Sequence, residues 1–217
     1  MKSILGIGNA LTDVVILLND DKLLKQYHLP KGSMQHVDKE IVKKIGLNLK
    51  TKDFQIVAGG SAANTIAGTA MLGMPSAFIG KVGDDELGSF FKSDQIKNGI
   101  NSMLLKGKTT SGISLVFITP PNFERTFAVY PGAALELAPE DLSKEMFYDY
   151  DYLHIEGYLL QNHALVSRAV ELAKSEGMIV SLDMASYNIV ESNNIFLHDI
   201  IKDYVNIVFA NKTEAET

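Results

Sequence analysis

The stretch AGGSAANTIAGTAMLGMPSAFIGKV, residues 58–82, decides the fold. Two glycines precede Ala62–Leu72, where small and apolar residues recur at helical spacing, and Ser61 is a candidate N-cap for that helix. A short apolar run of β type follows at Ala77–Ile79. The stretch therefore predicts a glycine loop, a helix that packs closely on a sheet, and a buried strand.

The same alternation of strand and helix extends in both directions from this unit. Apolar runs of β type recur along the chain, at Ile4–Ile7, Ala77–Ile79, Tyr152–Ile155, Ile179–Leu182 and Ile207–Phe209. Further helices are predicted from a cap at Asp84 to about Asn98, from Asn162 to about Glu176 before Gly177, and from Asp38 to about Leu49. Strands that are apolar on both faces and alternate with helices predict a doubly wound α/β body with a parallel sheet.

Two regions break this rhythm. Val14–Leu18 and Gln35–Val37 are predicted as strands that flank a short polar helix, and Gly112–Thr119 with Arg125–Tyr130 as a hairpin. Together they would form a small sheet at one edge of the body, placed to act as a lid over a binding crevice. We expect a single body spanning 1–217, with lid segments at about 14–37 and 110–131.

Composition limits the classes of function. The chain has 217 residues, a formal charge of −6 and no cysteine. Negative charge disfavours binding to nucleic-acid phosphates, and the lack of cysteine excludes disulfides and thiolate metal sites. The N-terminus lacks a signal-peptide pattern, and no apolar run approaches the ~20 residues that cross a bilayer. We expect a cytoplasmic protein with no nucleic-acid partner and no membrane partner.

Two phosphate-binding patterns are incomplete. In the segment 6–11, Leu11 occupies the third glycine position of a dinucleotide fingerprint. The sequence Gly107-Lys108-Thr109 has Ser102 where a Walker loop requires glycine. Neither NAD binding nor a Walker site is expected.

The glycine loop offers a candidate site for a polyhydroxylated ligand. Gly59 and Gly60 let the backbone approach a ligand closely, and Asn64 carries an amide that both donates to and accepts from hydroxyls. A tight loop in which Asn64 only completes a helix cap explains the spacing equally well.

Charged and amide side chains elsewhere extend this candidate site. Asp13, just after the first strand, could accept two charge-assisted hydrogen bonds from a vicinal diol, although a solvated turn aspartate is commoner. Asn9 is open to the same two interpretations. Arg125 either closes over a bound sugar or phosphate, or is an exposed strand arginine that resists edge association. Asp183, at a strand end, either faces a phosphate region or has a structural role.

Longer motifs resemble the PfkB family of carbohydrate kinases, which includes ribokinase and adenosine kinase relatives. The segments GGSAANTIA (59–67), LG (72–73) and FIGKVGDDELG (78–88) are similar to its N-terminal signature. GNALTD (8–13) resembles its first sugar-contacting loop, RTF (125–127) its lid strand, and NKTE (211–214) its Asn-x-x-Glu motif. The similarity spans nearly all of the chain.

The resemblance implies a ribokinase-like three-layer αβα sandwich with a small β lid. It also implies transfer of the γ-phosphoryl group of ATP to a hydroxymethyl group of a sugar or nucleoside. The residues that would hold the acceptor are Asp13, Asn9, Gly59, Gly60, Asn64 and Arg125. Asn211 and Glu214 would organise ATP and Mg²⁺, with Glu214 reaching the metal through water, which suits an ion that prefers oxygen ligands and keeps several waters. For an isolated Asn-x-x-Glu at a helix start, capping is the commoner explanation.

One family motif is missing from these residues. The relatives carry a Gly-Ala-Gly-Asp motif whose aspartate deprotonates the acceptor hydroxyl, and no such sequence occurs here. We expect the catalytic base to lie beyond Thr217 and the 217 residues alone to be inactive. Three explanations stay open: a truncated chain, which we favour, a natural fragment completed by another chain, and a kinase-derived module that binds a sugar or nucleoside without phosphorylating it.

The sequence limits the choice of acceptor and of assembly state but selects neither. LPKGSM (29–34) and RTF (125–127) resemble the adenosine kinase side of the family, whereas kinases of ribose, fructose and ketodeoxygluconate share most other motifs. A vicinal diol is the firmest inference. Some relatives pair through their lids, so a homodimer is possible, and the Ile113, Leu115, Phe117 row would serve either a dimer clasp or the crevice of a monomer.

Overall fold

The computed structural model describes residues 1–48 and 54–217. Its strands are β1 (Ile4–Ile7), β2 (Leu11–Leu17), β3 (Met34–His36), β4 (Phe54–Gly59), β5 (Ser76–Val82), β6 (Ile100–Lys106), β7 (Gly112–Thr119), β8 (Glu124–Tyr130), β9 (Tyr152–Glu156), β10 (Ile179–Asp183) and β11 (Ile207–Phe209). Its α-helices are α1 (Lys22–Gln26), α2 (Lys39–Asn48), α3 (Ser61–Met71), α4 (Glu86–Lys97), α5 (His163–Ser175), α6 (Tyr187–Asp203) and α7 (Lys212–Glu216). Short 3₁₀ helices occupy Gly132–Glu136, Pro139–Asp141, Lys144–Phe147 and Gly157–Gln161.

A parallel sheet forms the body, as the alternation of strands and helices predicts. Within the described residues it has six strands in the order β11-β10-β9-β1-β5-β6. Its two faces bury separate apolar clusters, one against α5 and α6 and the other against α3 and α4. Strand β1 contributes to both, because Leu5 and Ile7 face the first cluster and Ile4 faces the second. The doubly wound α/β body is confirmed.

A second, mixed sheet has the order β3-β8-β7-β2-β4 and contains the predicted hairpin of β7 and β8. One of its faces is covered by α1 and α2, which bury Leu115 and Phe117 together with Ile16. The expectation that the Ile113, Leu115, Phe117 row serves a dimer clasp or the crevice is therefore wrong. These side chains are the core of the second sheet itself.

Several boundaries differ from the sequence prediction. Strand β2 begins at Leu11 rather than Val14, and strands β4 and β6 were not predicted. Both missed strands lie at sheet edges, where polar and exposed residues interrupt the apolar pattern that marks a buried strand. The end of the helix predicted to reach Leu49 lies outside the described residues.

Two predicted helix caps are also wrong. Helix α3 begins after Gly60, and the hydroxyl of Ser61 donates to Asp183 Oδ2 at 2.8 Å instead of accepting from the helix backbone. Helix α4 is capped by Asp85, which accepts from Gly88 N, and not by Asp84. In each case a tertiary partner selects between neighbouring residues of similar capping propensity. The predicted cap at Asn162 is confirmed.

The chain crosses between the two sheets at several short connections. Residues 8–10 join β1 to β2, Gly60 joins β4 to α3, and residues 107–111 join β6 to β7. Asp85 accepts hydrogen bonds from Ser111 N at 2.8 Å and Ser111 Oγ at 2.6 Å, which fastens one connection to the body. In the described part of the chain, no helix combines the length and the apolar character needed to cross a bilayer.

Candidate functional site

A cleft of about 310 Å³ lies between the two sheets, beside these connections. Both sheets and the loops between them contribute its lining: Asn9, Leu11, Asp13, Met34, His36, Gly60, Ser61, Asn64, Ser114, Arg125, Phe127, Val129, Pro131, Leu135, Glu156, Tyr158 and Gln161. Asp13, Asn9, Gly60, Asn64 and Arg125, all candidates from the sequence, are therefore brought to one cavity. Gly59 adjoins it under the carboxylate of Asp13.

Asp13 lies on the cleft side of β2, opposite Ser114 of β7. A Cβ at Gly59 would overlap the Asp13 carboxylate, so the glycine makes room for this side chain. Burial raises the pKa of Asp13 to about 6, against the lowering effects of a hydrogen bond from Ser114 and the charge of Arg125. A carboxylate with this partial desolvation and few protein partners is well suited to accept hydrogen bonds from a ligand.

The raised pKa of Asp13 makes stability depend on pH. Between about pH 4 and 6 the folded protein holds a proton on Asp13 that the unfolded chain has released, so the free energy of unfolding falls as pH rises through this window. We expect the free energy of unfolding of the wild type to fall by about 1–2 kcal/mol across this window, and we expect no such fall for Asp13→Asn. Urea unfolding of both proteins from pH 4 to 7 measures the difference. A difference that does not change with pH would contradict the assignment.

The glycine loop and the start of α3 form the floor of the cleft. Gly60 has φ +98°, and a Cβ there would overlap the backbone oxygen of Asn9. Asn64 is exposed in the first turn of α3, and its N–H donates to Gly60 O at 2.9 Å. The side chain of Asn64 is thus left at the cleft surface, and the loop brings the backbones of residues 9 and 60 into contact.

Arg125 lies on the cleft face of β8. It shares that face with Phe127 and Val129, whereas Thr126 and Ala128 point away and are buried. The guanidinium lies 5.7 Å from the centre of the Phe127 ring, and Arg125 makes no ion pair within the described residues. Strand phase, which the sequence leaves open, therefore places the arginine at the cleft with its charge available to a ligand.

Asn211 and Glu214 do not line the cleft. They form a reciprocal cap of α7, in which Asn211 Oδ1 accepts from Glu214 N at 3.0 Å and Glu214 Oε2 accepts from Asn211 N at 2.8 Å. The capping explanation of this motif is therefore realised. Tyr158, which lines the cleft, links this cap to it. Burial first, and then the charges of Glu156, Asp183 and Glu214, raise the pKa of Tyr158, so Glu214 lies close enough to the cleft to act on its electrostatics.

Sequence reasoning missed Glu156, Ser114 and Tyr158. Glu156 ends β9, is 1% exposed, and bonds to Asn9 and Ala62. In the sequence it is a single carboxylate after an apolar run, 147 residues from Asn9. The one available signal is its position, because polar residues at the C-terminal ends of parallel strands face the crevice in such sheets.

The chain is similar in sequence to known carbohydrate kinases. The model of the pfkB family of carbohydrate kinases matches residues 33–217. Probable fructokinase-5 of Arabidopsis thaliana is 33% identical over 131 residues, covering 58% of this chain and 40% of that protein. A 5-dehydro-2-deoxygluconokinase of Clostridium perfringens is 29% identical over 176 residues, covering 76% of this chain and 52% of its own length. The chain thus spans about half the length of these relatives.

Solved structures show the same fold. The adenosine kinase of Sinorhizobium meliloti superposes with a TM-score of 0.86 at 30% identity, covering 99% of this chain and 66% of that one. A probable sugar kinase of Rhizobium etli gives a TM-score of 0.87 at 29% identity, again covering 99% and 66%. The ribokinase-like α/β fold expected from the sequence motifs is confirmed.

Proposed function

Because this chain belongs to the pfkB family of carbohydrate kinases, we propose that it serves the ATP-dependent phosphorylation of a hydroxymethyl group on a sugar or nucleoside. The cleft between the sheets is the proposed acceptor site. One observation carries this proposal: Asp13 of β2, the Gly59-Gly60 loop and the start of α3 meet at one cavity of about 310 Å³. This volume is at the lower end of the range for small-molecule sites.

Each polar group of the cleft has a place in this proposal. The Asp13 carboxylate accepts from a vicinal diol, and Asn9 and Asn64 hydrogen-bond to further hydroxyls. Gly59 and Gly60 keep the floor free of side chains. Arg125 and Phe127 cover the acceptor from the second sheet. The segments 14–37 and 110–131 of this sheet act as the lid, which excludes water from the cleft when it closes.

Asn211 and Glu214 are the proposed partners of ATP and Mg²⁺. The described residues contain no cluster of three or more carboxylate and histidine groups that could enclose a metal ion, so direct coordination by the protein alone is not expected here. The carboxylate of Glu214, although bonded to Asn211, retains lone pairs for a metal-bound water, which fits Mg²⁺. When bound, the ion neutralises charge on the phosphates.

The general base is not assigned among these residues. Asp13 lies within the acceptor site but is proposed to hold the diol, and Glu156 already accepts three hydrogen bonds from backbone and amide donors. We therefore propose that the 217-residue chain binds an acceptor without turning over ATP. A non-catalytic sugar- or nucleoside-binding module is the alternative, supported by the gathering of Asp13, Asn9 and Asn64 at one cleft within these residues.

A titration panel tests the acceptor proposal. Calorimetry of the 217-residue chain with fructose, 5-dehydro-2-deoxygluconate, adenosine and 2′-deoxyadenosine should show binding of at least one diol-bearing compound. Because 2′-deoxyadenosine lacks one hydroxyl of the diol, one of the two charge-assisted hydrogen bonds to Asp13 is lost, and we expect it to bind at least tenfold more weakly than adenosine if adenosine binds. Equal binding of the two nucleosides, or no binding of any compound, would contradict the proposal.

Location and assembly complete the proposal. A cytoplasmic site of action is supported by the absence of cysteine, and a homodimer through the second sheet by exposed apolar side chains there. Leu17 is 61% exposed and Phe54 52% exposed. Sedimentation equilibrium would give twice the chain mass for such a dimer.

A further inference from the structure

Glu156 joins the two loops that form the proposed acceptor site. Its Oε1 accepts from Asn9 N at 3.1 Å and also from Asn9 Nδ2, and its Oε2 accepts from Ala62 N at 3.1 Å. Asn9 lies in the connection from β1 to β2, whereas Ala62 is in the first turn of α3. One carboxylate on a third strand therefore holds both loops.

The surroundings are built for this carboxylate. Helix α3 has no side-chain cap of its own, so Glu156 supplies an acceptor for one of the free N–H groups at the positive end of the helix. A Cβ at Gly8 would lie 2.6 Å from Glu156 Oε2, so this glycine lets the carboxylate enter. Glu156 is 1% exposed at the wall of the cleft, and both of its carboxylate oxygens already accept hydrogen bonds from Asn9 or Ala62.

The contacts also determine how the amide of Asn9 is turned. Burial raises the pKa of Glu156, whereas the hydrogen bonds from Ala62 and Asn9 oppose that rise and favour the ionised form. An ionised carboxylate only accepts hydrogen bonds, so the Nδ2 group of Asn9 faces Glu156 and Oδ1 faces away. Asn9 is 8% exposed and lines the cleft, and its Oδ1 is buried with no hydrogen-bond partner among the described residues. A buried acceptor without a partner is costly unless a ligand or water supplies a donor.

We propose that Glu156 is a positioning residue that fixes the amide of Asn9 with its oxygen free, so that Asn9 accepts a hydrogen bond from a hydroxyl of the bound acceptor. This inference rests on the proposed function of the cleft. It makes Asn9 selective for a donor at one position of the ligand, because an ether or a fluorine there offers no hydrogen to Oδ1.

The orientation of Asn9 can be tested without a ligand. In ¹⁵N NMR spectra, Glu156→Gln should shift the side-chain amide signals of Asn9, identified by their loss in Asn9→Ala, because a glutamine cannot accept at both former oxygen positions. Glu171→Gln, an exposed change on α5, is the matched control and should leave these signals unchanged. Unchanged Asn9 signals in a folded Glu156→Gln protein would overturn the proposal.

A double-mutant cycle tests the effect on binding, using adenosine or fructose, whichever binds the wild-type chain more tightly. We expect Asn9→Ala and Glu156→Gln each to weaken binding about tenfold, and the double variant to bind no worse than Asn9→Ala. Multiplied effects would overturn the positioning role, since they indicate an independent structural contribution.

Two results separate this inference from the proposed function. If no compound of the titration panel binds, the proposed function fails, and the NMR comparison still decides whether Glu156 orients Asn9. If Glu156→Gln does not fold, exchange in the wild-type chain decides: the Nδ2 protons of Asn9 should exchange slowly with water, and rapid exchange would overturn the proposal.

Discussion

Alanine at position 13 should weaken acceptor binding by about ten- to a hundredfold. The carboxylate of Asp13 is the one acidic group on the cleft face of β2, and a lost charge-assisted hydrogen bond to a ligand costs roughly 1.5–3 kcal/mol. Burial already holds its pKa at about 6, so replacement removes a group that the folded chain stabilises poorly. We therefore expect Asp13→Ala to lose affinity in calorimetric titrations while its midpoint of urea unfolding at pH 7 is no lower than that of the wild type.

Two variants sharpen this experiment. Asp13→Asn keeps the shape of the side chain and should lose most of the same affinity, because an amide accepts through one oxygen and carries no charge. Asp199→Asn removes a charge from an exposed position of α6 and should bind as the wild type does. If Asp13→Asn bound the acceptor with unchanged affinity, the carboxylate would have no role in recognition.

Gly60→Ala should be the most destabilising single change in the site. At φ +98° an alanine is strained, and its Cβ would also overlap the backbone oxygen of Asn9. Strain and steric overlap together are expected to lower the free energy of unfolding by about 2–4 kcal/mol and to displace the loop that carries Asn9. Acceptor affinity should fall with stability, as measured by urea unfolding and by calorimetry on the same preparation.

Gly68→Ala provides the matched comparison on the same helix. Gly68 is exposed within α3, and a Cβ there meets no atom within 4 Å. Alanine favours the helical state over glycine, so we expect a gain of about 0.5–1 kcal/mol with unchanged acceptor affinity. Equal stability of Gly60→Ala and the wild type would show that the loop tolerates a side chain and that its glycine is not required.

The parallel sheet could be predicted from the sequence because buried strands leave a local pattern. Ile4–Ile7 and Ile207–Phe209 match observed strands at both ends, since each is a short run of β-favouring residues. The exposed edge strand β11 carries this signal, but the edge strands β4 and β6 do not. Strand β6 alternates polar and apolar residues only in part, and β4 is exposed over most of its length.

As with the fold, only part of the candidate site could be predicted from the sequence. The Gly59-Gly60 loop could be found because glycines in a turn before a helix carry a local signature in sequence. The expectation that Asp13 follows the end of a strand is wrong, because Asp13 lies within β2 and is paired on both sides. The phase of Arg125 could not be predicted, since a one-residue shift of β8 reverses its direction and only pairing with β7 fixes the register. Glu156 could not, because its role arises from contacts with residues 147 and 94 positions away.

The short connection between β1 and β2 limits how this protein can change in length. Only residues 8–10 separate the last residue of one strand from the first of the other, and each strand is fixed by its own sheet. Losing one residue there would turn every side chain of β2 to the opposite face, moving Asp13 under the helices and Thr12 into the cleft. Surface loops can absorb insertions and deletions, but the length of this segment must stay constant for Asp13 to face the cleft.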